Sequence, residues 1–162
     1  MNRSAGQSTR GVVVIGVGNE FRSDDALGIV IARELRRTGT GEVTVMEASG
    51  EGAALIEAWK GARTAIIVDA VRSGAVPGSL HHVDLSTQDL PLHLLPRSSH
   101  LFGVAEAVAT ARTLGQLPPH VIFLGIEGGS YEFGVSLSDS VLRSVPTLLE
   151  KIALELKACE IV

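Results

Sequence analysis

The sequence contains few of the residues that mark several protein classes. It has one cysteine in 162 residues, so an internal disulfide scaffold is excluded. Aromatic residues are only 4% of the chain and hydrophobic residues 45%, so Val, Ile, Leu and Ala must build the core of a packed globular protein. No apolar run approaches the roughly 20 residues of a membrane span. Basic runs are absent too, and the formal net charge of −4 argues against a nucleic-acid surface.

The N-terminal part lacks the full pattern of a secretion signal. Arg3 and Arg10 precede an apolar stretch, but this stretch ends after about eight residues in the charged segment NEFRSDD, without a small-residue cleavage site. We therefore interpret it as a first strand. Together with the single, unpaired Cys159, it predicts a cytoplasmic protein.

The pattern of the chain predicts one domain of the α/β class. Residues 1–10 are polar and unpatterned, which predicts a disordered tail, and residues 11–162 have the length of one domain. Apolar strands alternate with helical segments, and the strands are GVVVIGV, EVTVMEA, TAIIVDAV and HVIFLGIEG. This order predicts a three-layer α/β/α sandwich around a mostly parallel sheet. The alternating segment SLHHVDL is expected at a sheet edge, and residues 86–99 as a surface loop.

Polar residues gather where the predicted strands end. The first strand ends in the turn Gly16–Asn19, which leads to Asp24 and Asp25. The second strand ends near Glu47 and the third at Asp69. Ligands of such sheets bind at the carboxyl ends of the strands, so these residues are the candidates for a site.

Dinucleotide binding is one interpretation of the turn. Gly16 and Gly18 match the first two glycines of the fingerprint G-x-G-x-x-G, but Phe21 stands at the third. Asp24 and Asp25 would also repel a pyrophosphate at the helix N-terminus. The pattern therefore disfavours a nucleotide.

Helix capping is a second interpretation. Ser23 or Asp24 can serve as the N-cap of the following helix, with Asp25 stabilised by the helix dipole. Capping does not explain Asp69, because a carboxylate that ends a buried strand needs a charged or hydrogen-bonding partner.

A cation site is the third interpretation. Asp25 and Asp69 follow strands that are often neighbours in such sheets, and His100, at the start of a later helix, can complete the set. Three protein ligands with an open position are typical of a metal site that meets a substrate. Mixed oxygen and imidazole ligands suit zinc or nickel better than magnesium. The remaining histidines are assigned surface roles: His81, His82, His93 and His120.

Three segments taken together resemble the hydrogenase maturation endopeptidases: GVGNEFRSDDALG, AIIVDAV and SSHLFGVAEAV. Members of that family trim a C-terminal peptide from the large subunit of nickel–iron hydrogenases. The likeness runs from Val12 to the last helix, in the same order and at similar spacing. Glu20 and Arg22 depart from it, since apolar residues are common there, and the loop 86–99 matches nothing specific.

The resemblance implies a site, a fold and a partner. Asp25 corresponds to the first metal-binding carboxylate of the family, Asp69 to the second and His100 to the histidine. The implied fold is a five-stranded, mostly parallel twisted sheet flanked by helices. The implied protein is a cytoplasmic enzyme without a tight cofactor of its own, and its partner is the large-subunit precursor, which contributes the nickel. We expect the protein to be a monomer. Neither a nucleotide, nor a nucleic acid, nor a membrane is expected as a partner.

The sequence also limits which groups can attack a peptide bond. The only cysteine is Cys159, no serine lies in a nucleophile elbow, and the motif HExxH is absent. Water is therefore the expected nucleophile, with Asp25 as the catalytic carboxylate and nickel as either a recognition element or a Lewis acid. A metal-binding chaperone that does not cut would use the same ligands, and a nucleotide-binding α/β protein is a further alternative.

Overall fold

The computed structural model describes residues 10–94, 99–134 and 136–160, without the side chains of residues 10 and 99–102. The predicted disordered tail lies outside these ranges except for Arg10, which begins the first strand. Residues 95–98 of the predicted surface loop lie outside them as well. The described part of that loop contains a 3₁₀ turn, Leu92–Leu94, and Leu94 is buried.

Strands and helices alternate, as the apolar runs predict. The strands are β1 (Arg10–Val17), β2 (Thr44–Ala48), β3 (Ala62–Val71), β4 (Leu80–Asp84) and β5 (His120–Glu127), and the helices are α1 (Leu27–Thr38), α2 (Gly52–Trp59), α3 (Ser99–Thr113) and α4 (Asp139–Glu160). A 3₁₀ turn, Ser23–Ala26, precedes α1. Pro146 lies inside α4, which is one helix on both sides of it. None of the helices in the described ranges has the length and apolarity needed to cross a membrane.

The sheet is mostly parallel, and its strand order is β2-β1-β3-β5-β4. β1 pairs in parallel with β2 and β3, and β3 pairs in parallel with β5. β4 is antiparallel to β5 and lies at an edge, which confirms the prediction for SLHHVDL. Because β1 and β3 are neighbours, the carboxyl ends that lead to Asp25 and Asp69 lie side by side.

Two apolar clusters, one on each face of the sheet, make the three layers. Val13 and Ile15 of β1 pack with residues of α2 and α3, whereas Val14, between them, packs with α1 and α4. This alternation follows from the period of two along a strand. The middles of the central strands β1, β3 and β5 are continuous apolar runs because both faces of the sheet are covered there.

Candidate active site

Two glycines bring helix α1 directly onto the sheet. A Cβ on Gly28 would lie 2.5 Å from the carbonyl oxygen of Val68 and closer still to the backbone of Val17. A Cβ on Gly16 would collide with the carbonyl group of Gly28. Backbone therefore meets backbone where α1 crosses the end of the first strand, and neither position has room for a side chain.

The turn after β1 is closed on Asp25 by the backbone. The amide of Asn19 donates to the carbonyl oxygen of Asp25 at 3.1 Å, and the amide of Gly18 donates to that of Ala48 at 3.1 Å. Gly18 has φ 155°, and a Cβ there would collide with the carbonyl oxygen of Asp25. The side chain of Asn19 accepts a hydrogen bond from the amide of Phe21 at 3.0 Å. These contacts fix where Asp25 stands.

Neither Ser23 nor Asp24 is a helix N-cap, so this part of the capping interpretation is wrong. Neither the 3₁₀ turn nor α1 has a side-chain cap, and their N-cap residues are Arg22 and Ala26. The carboxylate of Asp24 is fully buried and reaches the segment after β5 instead. Its Oδ2 accepts from the amides of Gly129 and Ser130 at 2.7 and 2.9 Å. Ser138 donates both its amide, to Oδ1 at 2.7 Å, and its hydroxyl, to Oδ2 at 2.8 Å.

Ser23 ties the same turn to the same segment. Its hydroxyl donates to the carbonyl oxygen of Ser136 at 2.8 Å, and its φ of 49° lies in the left-handed region. That conformation costs a residue with a Cβ about 1 kcal/mol or more. The surrounding contacts hold this strained backbone directly before the two carboxylates.

Asp25 and Asp69 are both buried, with 6% and 0% exposure. Asp25 lies three residues before Gly28, whose backbone contacts Val68, and Asp69 follows Val68 in β3. Oδ1 of Asp69 accepts from the amide of Ala70 at 2.8 Å. The period of two along β3 places Asp69 on the face that is covered by α2 and α3.

His100 is the second residue of α3, and its side chain lies outside the described atoms. Gly103, near the start of α3, lies so close to the carbonyl oxygen of Gly50 that a Cβ on it would collide with that oxygen. Gly50 follows the carboxyl end of β2. α3 therefore begins at the same edge of the sheet as the carboxylates. Within the ranges that the structure describes, no three His, Cys, Asp or Glu residues are placed to hold a metal ion. The described site therefore contains the two carboxylates of the predicted trio, and the assignment of all three residues as metal ligands stays a prediction.

The pKa of Tyr131 shows the effect of the carboxylates at the edge of the sheet where the parallel strands have their carboxyl ends. Its hydroxyl donates to the carbonyl oxygen of Val71 at 2.9 Å. Burial raises the pKa of Tyr131 well above its ordinary value of 10, and the carboxylates of Glu127, Asp69, Asp25 and Asp24 raise it further. All four carboxylates act on the same phenol, so the four carboxylates lie near one another around Tyr131. Several buried carboxylates together favour a bound cation.

Glu127 shapes the loop after β3. It is 2% exposed and accepts from the amides of Ser73 and Gly74 at 2.8 and 2.9 Å. Nε2 of His81 lies 3.1 Å from its Oε2, and the side chain of His81 is 16% exposed. The surface role assigned to His81 is therefore wrong, whereas the side chain of His82 is 44% exposed as expected.

Glu47, the candidate ribose-binding acid of the dinucleotide interpretation, pairs with two arginines of α1. Its carboxylate lies 2.8 Å from Nε of Arg33 and 3.3 Å from Nη1 of Arg36. Arg33 also pairs with Glu20 at 2.8 Å, and these contacts raise the pKa of Arg33 above its ordinary value. The charged Glu20 thus joins the turn after β1 to α1.

The site also includes residues 128–134 and 136–138, which the sequence pattern did not indicate and which contain Tyr131 and the partners of Asp24. The feature of the sequence that could have indicated this part of the site is the run Gly128-Gly129-Ser130 directly after β5. β5 is parallel to β3, so this run ends at the same edge as Asp69, where loops bind ligands. Ligands bind at the carboxyl ends of parallel strands, so the end of β5 is a candidate for the site just as the first three strand ends are.

Comparison with known proteins identifies a family. The family model HycI, described as hydrogenase maturation protease, matches residues 29–155. The hydrogenase 2 maturation protease of Escherichia coli is 27% identical over 150 residues, 90% of each chain. The hydrogenase expression/formation protein HupD of Thiocapsa roseopersicina is 27% identical over 86% of this chain, and the match spans 64% of the length of HupD.

A solved structure shares the fold. The hydrogenase maturating endopeptidase HybD from E. coli superposes with a TM-score of 0.80, at 23% identity, over 91% of this chain and 93% of HybD.

Proposed function

The chain belongs to the hydrogenase maturation protease family, and we propose that it is the endopeptidase that removes the C-terminal extension from a nickel-loaded large subunit of a nickel–iron hydrogenase. The observation that carries this proposal is the pair of buried carboxylates, Asp25 and Asp69, on neighbouring strand ends at the carboxyl edge. A cation beside two such acids is favoured, because it offsets their mutual repulsion. Nickel in the substrate supplies the cation.

The proposed ligands of that nickel are Asp25, Asp69 and His100. The metal belongs to the substrate, so the enzyme needs only an open half-site of oxygen and imidazole donors, a donor set that suits nickel. α3 begins at the edge where both carboxylates lie, and His100 is in its first turn. A substrate without nickel lacks the group that these residues bind, and the enzyme then leaves it uncut.

The proposed reaction is an aspartic-type hydrolysis by water. Asp25 has two carboxylate oxygens, so one can bind the nickel while the other accepts the proton of the attacking water. The water oxygen forms the new bond to the scissile carbonyl carbon, and the proton passes from Asp25 to the departing amine. The bound nickel orients the peptide beside Asp25.

Exposed aromatic residues offer a surface for a protein substrate. Phe21 and Phe133 are 67% and 70% exposed, and they stand on loops joined by the hydrogen bond from the amide of Gly134 to the carbonyl oxygen of Phe21 at 2.9 Å. Both loops adjoin the carboxyl edge. Exposed aromatics beside a buried polar site are typical of protein contacts.

We further propose that the protein acts in the cytoplasm as a monomer and holds no nucleotide or resident metal of its own. The single, unpaired Cys159 is consistent with a reducing compartment. The large-subunit precursor is its proposed partner.

Mass spectrometry of the large-subunit precursor tests the proposal. The precursor is incubated with the protein in its nickel-loaded and nickel-free forms. The expected result is a loss of mass equal to one C-terminal peptide from the loaded form only. Binding without any loss of mass would instead favour the alternative of a metal-binding chaperone.

A further inference from the structure

A polar cavity of about 500 Å³ opens beside Tyr131, between the loops that follow β3 and β5. Its lining includes Arg22, Arg72, Gly74, Glu127, Ser130 and Glu132. The two arginines lie close in sequence to the carboxylates of the proposed nickel site. Arg22 is three residues before Asp25, and Arg72 is three residues after Asp69.

Each of these guanidinium groups rests on an aromatic ring. Cζ of Arg22 lies 4.5 Å from the centre of the Phe133 ring, and Cζ of Arg72 lies 4.9 Å from that of Tyr131. The two rings are two residues apart in one segment, and both arginines line the cavity beside it. A ring fixes the plane of a guanidinium and leaves its N–H groups for another partner.

Neither guanidinium forms an ion pair or a hydrogen bond within the described ranges, where their ring contacts are their only polar interactions. Nε of Arg22 is covered and has no hydrogen-bond partner there. Glu127, the buried carboxylate of the same cavity, is engaged by Ser73, Gly74 and His81. Two positioned cations therefore face the cavity with their donors unused.

We infer that Arg22 and Arg72 bind a carboxylate of the substrate polypeptide. A guanidinium presents two parallel N–H groups, which match the two oxygens of a carboxylate. The four acids near Tyr131 would repel such an anion, and the paired arginines supply the positive charge that offsets this repulsion. The identity of the polypeptide rests on the proposed function, but the chemistry of the site does not.

Binding of small peptides tests the site without any cleavage. The probes are a capped tripeptide with a central glutamate, its glutamine counterpart and a capped dipeptide with a free terminal carboxylate. NMR signals of the arginine Nε–Hε groups report binding. We expect the peptides with a carboxylate to shift Arg22 and Arg72 at about tenfold lower concentration than the glutamine peptide. Comparison of the glutamate and dipeptide probes distinguishes a side-chain from a chain-terminal carboxylate.

Variants locate the binding. Arg22→Gln and Arg72→Gln should each abolish the preference for carboxylate peptides. Arg63→Gln is the matched control, because Arg63 is exposed and lies at the amino end of β3, the opposite edge of the sheet. Circular dichroism checks that all three variants are folded. Equal binding of acidic and neutral peptides to the parent protein would overturn the inference.

Processing kinetics connect the site to the reaction. With a nickel-loaded precursor, Arg72→Gln should raise KM about tenfold or more with a smaller change in kcat, and Arg72→Lys should restore part of the loss. If both glutamine variants keep the parent KM, the inference is wrong while the proposed function stands. If no precursor is cut but acidic peptides bind through these arginines, the proposed function is wrong and the carboxylate site stands.

Discussion

Ser138 donates two hydrogen bonds to Asp24, one from its amide to Oδ1 at 2.7 Å and one from its hydroxyl to Oδ2 at 2.8 Å. The neighbouring acid, Asp25, has a different position, at the strand end beside Asp69. The two adjacent acids therefore separate into a structural carboxylate, which fastens the segment after β5, and a candidate catalytic one. Their different environments give different consequences for mutation.

Asp24→Asn should destabilise the fold by about 2–4 kcal/mol, because an amide nitrogen would replace one oxygen and face a buried N–H donor. Denaturant unfolding measures the effect. Ser138→Ala, which removes only the hydroxyl, should cost about 1 kcal/mol. Asp24→Asn with the stability of the parent protein would show that these hydrogen bonds do not hold the segment.

Gly28→Ala should destabilise by about 1–3 kcal/mol or more, because the atoms that a Cβ would meet are backbone atoms of Val17 and Val68. Gly11→Ala is the matched control. Gly11 is in the same strand as Gly16, and a Cβ there meets nothing within 4 Å. Thermal unfolding compares the two variants, and equal melting temperatures would contradict the close approach of α1 to the sheet.

Local patterns in the sequence predict most of the fold, because burial imposes them. β3 is apolar on both faces, so its sequence reads as one continuous run, and β4 alternates because it lies at an edge. The parallel order of the strands then brings Asp25 and Asp69 together. These inferences need only the spacing of nearby residues.

The role of Asp24 could not be predicted in this way. Its partners are 105 to 114 residues away, and no local pattern encodes a hydrogen bond across that separation. Gly16 and Gly18, at the end of β1, show the same limit. Their positions indicate that something approaches the backbone, but only the structure shows that it is Gly28 and the carbonyl group of Asp25.

Tyr131 should ionise only well above pH 10. Burial and the nearby carboxylates raise its pKa, so the folded state favours the neutral phenol. The resulting stability is fully present below the ordinary value of about 10 and is lost as the pH rises toward the pKa of the folded protein. The chain has a single tyrosine, so ultraviolet absorption of the phenolate reports Tyr131 alone.

Tyr131→Phe serves as the control for this titration. It removes the absorption change and should flatten the fall of unfolding free energy above pH 10. A folded parent protein whose phenolate appears with a midpoint near 10 would contradict the placement of Tyr131 among the carboxylates.

NAD and ATP should not bind measurably. Gly28 and the carbonyl group of Asp25 fill the space beside Gly16 and Gly18, and Glu47 is paired with arginines. Isothermal titration calorimetry checks this expectation. Micromolar affinity for either nucleotide would restore the nucleotide-binding alternative.

Asp25→Asn should leave the protein folded and lower processing of a nickel-loaded precursor by orders of magnitude. The substitution keeps the size of the side chain and removes the charge that binds a cation and accepts a proton. His100→Ala should lower processing as well, because it removes the proposed imidazole ligand. Circular dichroism shows whether each variant is folded, and mass spectrometry of the precursor gives the rate. The control is His120→Ala, since His120 is exposed at the amino end of β5. Release of the C-terminal peptide at the parent rate by folded Asp25→Asn and His100→Ala variants would refute the assignment of these residues to the site.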